Sequence, residues 1–124
     1  MEFIEAPAFM RHLPDYLSDD DYRELQARLG ANPEFGDLMP GTGGFRKARW
    51  ADVRRGKGRR GGLRIIYYHF RSDYQIWLMT LYNKEEASDL TASEKKALKA
   101  AIESELEARA VRRATGHRRL RRTR

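Results

Sequence analysis

Apolar positions recur along the chain with two periods, one near two residues and one near 3.6. Phe3–Glu5 reads as a short edge strand, and Pro7 suits the first position of a short helix with Phe9 and Leu13 on one side. In "LSDDDYRELQARLGANP", Ser18 is a suitable N-cap and Asp19, Asp20 and Asp21 favour the positive end of the helix dipole. Leu17 can staple onto Tyr22. Tyr22, Leu25, Gln26 and Leu29 then form a face that is apolar except for Gln26, with Gly30 and Pro33 as the stop. "GDLMPGTGG" is a loop by composition. Strand patterns follow over Phe45–Val53, Leu63–Phe70 and Tyr74–Tyr82, the last two joined by a hairpin at "RSD". Both of these carry apolar residues on each side, so they belong in the sheet interior. Beyond "SDL", Thr91 and Glu94 have capping-box spacing, and Leu98, Ala101, Ile102 and Leu106 mark the buried stripe of a final helix.

These elements predict an α+β domain over residues 1–111: a small twisted antiparallel sheet of about three or four strands, helices packed on one face, the other face free. Residues 112–124, "RRATGHRRLRRTR", break the helical pattern and predict a basic, disordered tail.

Charge changes this picture from a generic domain to one with a polarised surface. The net charge is +7, but residues 1–42 carry −6, 43–71 carry +9, 72–110 carry −3 and 111–124 carry +7. Two positive blocks on an acidic body predict a nucleic acid or an acidic protein as partner. Neither block has the strong apolar stripe of a membrane-surface helix, and no apolar run approaches the roughly 20 residues of a membrane span. The N-terminal "MEFIEAPAFM" lacks the basic start of a targeting signal, so the expectation is a cytoplasmic protein.

The first basic block is "FRKARWADVRRGKGRRGGLR", with nine cations, four glycines and one acid, Asp52. Strand alternation puts Arg46, Ala48 and Trp50 on one side and Phe45, Lys47 and Arg49 on the other. Ala48 and Trp50 are the better core pair, which turns Lys47 and Arg49 outward. A meander can then bring Lys47, Arg49, Arg64 and Lys84 together. Lys57, Arg59 and Arg60 lie in a glycine-rich flap able to approach a phosphate chain closely, and Arg46 is a further RNA-binding candidate.

Other chemistries find no support. Without cysteine there is no thiolate site, and His12, His69 and His117 are scattered, so no metal and no cofactor is expected. No Gly-Lys-Ser/Thr opens a helix as a P-loop does, and no Gly-x-Ser-x-Gly elbow exists. Catalysis, if any, rests on Lys, Arg and Tyr. RNA cleavage by its own 2′-hydroxyl fits that set: cations stabilise the crowded dianionic transition state and a crowded lysine accepts a proton.

"YLSDDDYRELQARLGANPEFGDLMPGTGGFRKARW", "GKGRRGGLRIIYY" and "LYNKEEASDLTASEKKALKAAIE", in this order over about residues 3–108, resemble the HigB branch of the RelE/ParE toxin superfamily. The resemblance implies a RelE-like fold and a type II toxin–antitoxin system with a HigA-type helix-turn-helix antitoxin. It also implies a ribosome-dependent endoribonuclease that cuts mRNA in the ribosomal A site. Lys47, Arg49 and Arg64 match the positions that bind and cleave mRNA, and Lys84, followed by Glu85, stands beside the next, where the family has arginine. Thr91 stands where the family has a catalytic tyrosine, with Tyr68 or Tyr82 as substitutes. Two other functions remain open: a ParE-like inhibitor of DNA gyrase, and an RNA-binding module without catalysis.

Overall fold

The computed structural model describes residues 1–52, 62–87 and 89–122, with side chains through residue 115. The chain runs β1 (Glu2–Glu5), α1 (Pro7–Tyr16), α2 (Asp19–Ala31), β2 (Asp37–Leu38), β3 (Arg46–Trp50), β4 (Leu63–Phe70), β5 (Gln75–Asn83) and α3 (Ala92–Arg122). It is an α+β fold. The sheet has five strands in the order β1-β5-β4-β3-β2 and is mixed rather than antiparallel, because β1 pairs with β5 in parallel while the other pairs are antiparallel.

Local signals act where the sequence places them. The Ser18 side chain accepts a hydrogen bond from the Asp21 N–H at 3.2 Å, capping α2. Gly30 does not stop α2 but sits in its last turn, and Asn32 is the C-cap. At α3 the Thr91 hydroxyl accepts from the Glu94 N–H at 3.1 Å, and Glu94 accepts from the Thr91 N–H at 2.8 Å, so both halves of the box are closed. The hairpin turn runs through Arg71–Tyr74, with Tyr74 itself at φ 54°.

The expectation that helices cover one face is wrong, and the reason lies in the strands. On β4, Leu63, Ile65 and Tyr67 face a core shared with Phe9, Tyr16, Leu25 and Leu29 of α1 and α2. Ile66 and Phe70 face a second core with Met39, Phe45 and Ile102, flanked by Tyr68, Trp77 and Leu98. Leaving the second set in water would forgo about 1.5–3 kcal/mol for each large side chain. Helix α3 supplies the cover. Leu106, expected in its buried stripe, is 39% exposed, and beyond Ile102 the helix meets the sheet through Arg109, which stacks on Phe70, rather than through an apolar side chain.

The register shifts between Ile66 and Tyr67, whose partners are Thr80 and Leu78, so Met79 is the extra residue of a bulge. The bulge lets Leu78 and Leu81 share one core although they are three residues apart. The "GTGG" loop docks α3 to the sheet. Gly43 has φ 79°, and a Cβ there would sit 2.9 Å from Ile102 Cγ2. Thr42, fully buried, donates to the Met39 carbonyl at 2.8 Å and accepts from the Phe45 N–H at 3.1 Å.

The helix that was expected to fray into a tail after residue 111 continues to Arg122. Alanine and arginine are good helix formers, and Arg112 and Arg113 pair with Glu105 and Asp73.

Candidate functional site

The β3–β4 register settles which cations share a face. Lys47 pairs with Ile66 and Arg49 with Arg64, so all four lie on the α3 side of the sheet. Arg49 and Arg64 are direct cross-strand partners. Two like charges at that spacing repel, so such a pair weakens the sheet it sits in. On β5, Tyr82 is opposite Arg64. Helix α3 begins at Ala92 and packs toward the hairpin, so among the described residues no helix covers this end of the face; Arg49 is exposed there.

Arg64 donates to the Leu63 carbonyl at 3.1 Å, which bends its guanidinium along the sheet. Lys47 reaches Asp89, in the turn before α3, at 3.5 Å, and Lys95 of α3 reaches the same carboxylate at 3.4 Å. The Leu90 N–H holds the Asp89 carboxyl below its ordinary range, burial opposes this, and Lys47 and Lys95 add to the lowering. The Tyr82 hydroxyl oxygen is buried and has no hydrogen-bond partner among the described residues. Its ionisation is pushed up by burial first and by Asp89 second, while Arg64 works the other way, so the phenol keeps its proton at neutral pH.

Lys84 follows the last β5 residue, its N–H bonded to the Gly62 carbonyl at 2.8 Å and its side chain exposed. Arg46 does not join the group. It pairs with Tyr67 on the opposite face, and its guanidinium donates to the Gly36 carbonyl at 2.7 Å. Its role is to hold the 33–36 segment, which the Tyr67 hydroxyl also anchors by donating to the Pro33 carbonyl and accepting from the Gly36 N–H. Lys57, Arg59 and Arg60 lie outside the described residues. Of the substitutes for a tyrosine at the site, Tyr68 packs on Phe45 and Phe70 toward the hairpin, whereas Tyr82 is beside Arg64. The Thr91 hydroxyl is committed to its cap.

Three further residues at this end, Asp52, Asn83 and Asp89, have partners that the sequence does not indicate. Asp52 and Asn83, both fully buried, are hydrogen bonded to each other, and Asn83 Oδ1 accepts from the Glu85 N–H at 2.8 Å. A Cβ on Gly62 would lie 3.2 Å from Asn83 Nδ2 and 3.4 Å from Asp52 Cβ. This polar knot joins the residues that precede and follow 53–61 to the end of β5, beside Lys84. Asp52 was visible as the single acid in a basic run, but its partner is 31 residues away. Asp89, the third, carried no signal at all.

Among the described residues no three His, Asp or Glu side chains converge as a metal site would require, and no helix is long and apolar enough to cross a membrane. No protein-family model matches the chain. The open end of the face can therefore do two things with the groups it holds: bind a polyanion electrostatically, and stabilise negative charge that grows on a bound phosphate.

Proposed function

We propose that this chain is a HigB-type toxin of the RelE/ParE superfamily, with a RelE-like fold, working as a ribosome-dependent endoribonuclease in the cytoplasm. The observation that carries the reading is the cross-strand pairing of Arg49 with Arg64 beside Lys47 on an open sheet face. Two arginines directly opposite each other cost a sheet some stability. A bound phosphate turns that repulsion into a two-sided clamp.

In the proposed reaction the RNA 2′-oxygen attacks the adjacent phosphorus, the bond to the 5′-oxygen breaks, and a 2′,3′-cyclic phosphate and a 5′-hydroxyl result. Arg49 and Arg64 neutralise the phosphorane's second negative charge, which does not exist in the ground state, so their effect falls on the rate. Lys47 and Lys84, as ammonium ions, hold the flanking backbone, and the 2′ proton passes to water. Tyr82, still protonated, is the phenol beside Arg64; its hydroxyl is buried in the free chain, so giving a proton to the departing 5′-oxygen requires that RNA binding uncover it. The ribosome presents the message, and a HigA-type antitoxin with a helix-turn-helix is the partner that neutralises the activity.

Mapping strand breaks in a message under translation, with and without ribosomes, tests the reading. The expected result is cleavage only on ribosomes, lost in Arg49→Ala/Arg64→Ala. An intact message with the wild-type chain overturns it, and inhibition of gyrase supercoiling in its place would identify a ParE-like activity.

A further inference from the structure

The two lysines that meet at Asp89 come from different parts of the chain, β3 and the first turns of α3, 48 residues apart in sequence. Lys47 takes one carboxylate oxygen, Oδ1, and Lys95 takes the other, Oδ2. Both ammonium groups belong to side chains that are mostly covered, at 28% and 29% exposure. Asp89 is fixed from behind, since its Oδ1 also accepts from the Leu90 N–H at 2.7 Å.

The position of Lys95 is electrostatically unfavourable for the helix alone. The start of a helix carries partial positive charge and favours acids. Helix α2 obeys this rule with Asp19, Asp20 and Asp21, and α3 with Glu94, but α3 also has Lys95 directly after Glu94, its N–H bonded to the Thr91 carbonyl. A cation placed there gains from an anion outside the helix. The two oxygens of a phosphodiester are spaced much as those of a carboxylate. They would receive the same two lysines in the same way.

Lys47 and Arg49 are two residues apart on β3, a separation of about 6.6 Å along the strand. That step is of the same order as the distance between successive phosphates of an extended single strand.

We infer that Lys47 and Lys95 form a phosphate subsite for single-stranded RNA, adjoining the Arg49–Arg64 clamp, and that Asp89 occupies it as an internal stand-in until RNA arrives. The inference rests on the proposed function in taking RNA as the ligand, but binding and cleavage are separable. Asp89 remains ionised while it fills the subsite, because the Leu90 N–H first, and the two lysines after it, favour the carboxylate over the acid. Incoming phosphate therefore competes with it. The competition is weak, because an ion pair this exposed is screened by water and salt.

The test is fluorescence anisotropy of the full chain with a short labelled 2′-O-methyl RNA, which binds but lacks the attacking hydroxyl, over a series of salt concentrations. Asp89→Asn retains an oxygen for the Leu90 N–H and removes the competing charge. It is expected to tighten binding about three- to tenfold. Lys95→Gln is expected to weaken binding and to reduce the slope of log K against log salt by about 0.7, one single-strand phosphate contact. In the Lys95→Gln background the gain from Asp89→Asn should shrink. Should Asp89→Asn fail to fold, as read by thermal melting, Asp89→Ser supplies the same acceptor and the same prediction. Unchanged or weaker binding in the folded Asp89 variants overturns the subsite, as does a wild-type chain that does not bind the probe. Tighter binding without cleavage on ribosomes would leave the subsite standing and remove the nuclease reading.

Discussion

The two ends of the sheet both gather arginines and use them in opposite ways. At the hairpin end, Arg109 is held from every side: its guanidinium lies 3.7 Å over the Phe70 ring and bonds Asp73, Gln75 and Glu105 at 2.6–2.9 Å. Arg71 pairs with Glu34, Arg113 with Asp73, and Arg46 with backbone carbonyls. At the open end, Arg49 faces Arg64 and makes no ion pair among the described residues. The first arrangement joins α3 to the β4–β5 hairpin. In the second, Arg64 is held by the Leu63 carbonyl, while Arg49 is exposed and leaves its charge accessible to a ligand. Cation count does not separate a structural cluster from a binding one; the ratio of cations to fixed acceptors does.

The largest expected effect breaks the open end. Arg49→Ala/Arg64→Ala should lower cleavage of a translated message by about a thousandfold or more, since loss of a single preorganised donor to a developing oxyanion costs about 10²–10³. In Arg49→Ala alone the melting temperature should hold or rise, because one of two facing like charges has been removed. A fall in melting temperature matching the activity loss would make these arginines structural and collapse the contrast.

Tyr82→Phe sharpens the same end. It removes a buried hydroxyl with no partner among the described residues, so stability should be unchanged or slightly higher. Single-turnover cleavage should fall about 10²-fold if the phenol protonates the leaving oxygen. An unaltered rate would assign Tyr82 to packing alone.

How much of this contrast could be read in the sequence follows from the range of each interaction. Alternation along β3 turned Lys47 and Arg49 to one side and Arg46 to the other, and the register places them so. The double-sided apolar pattern of β4 and β5 was also legible, yet its consequence, a helix on each face, was missed because a strand pattern does not say what covers it. Parallel pairing of β1 with β5 rests on Phe3 meeting Ile76, a contact 73 residues long with no local trace. The two residues of β2 have no strand signal and pair only because β3 offers an edge. Asp52 with Asn83, and Asp89 with Lys47, are likewise invisible until the chain folds. Caps were read well because their partners are three residues away.

Arg109→Ala breaks the other end. Its side chain is 12% exposed, and its removal leaves Asp73 and Glu105 without their closest cation. We expect a loss of about 2–4 kcal/mol in denaturant unfolding, from the buried pair and the stacking on Phe70 together. Cleavage at a temperature where the variant is folded should persist. Loss of cleavage without loss of stability would mean that the hairpin end, too, takes part in function.

The smallest effect concerns His69, on β4 near Arg46, Arg71 and Glu34. Burial lowers its ionisation first, Arg71 and Arg46 lower it further, and Glu34 opposes them. The folded chain therefore binds this proton less readily than the unfolded chain does. Its neutral form is fully favourable above the unfolded value of 6.5, and stability declines as pH falls through that value toward the lower folded one. His69→Gln should flatten this part of the stability curve, measured by urea unfolding between neutral pH and the acid limb. Because the hairpin-end arginines help set the shift, Arg71→Gln should reduce the slope as well, whereas Arg49→Gln at the open end should leave it unchanged. Equal responses to Arg71→Gln and Arg49→Gln would show that the two arginine clusters act through one shared field rather than as separate local arrangements.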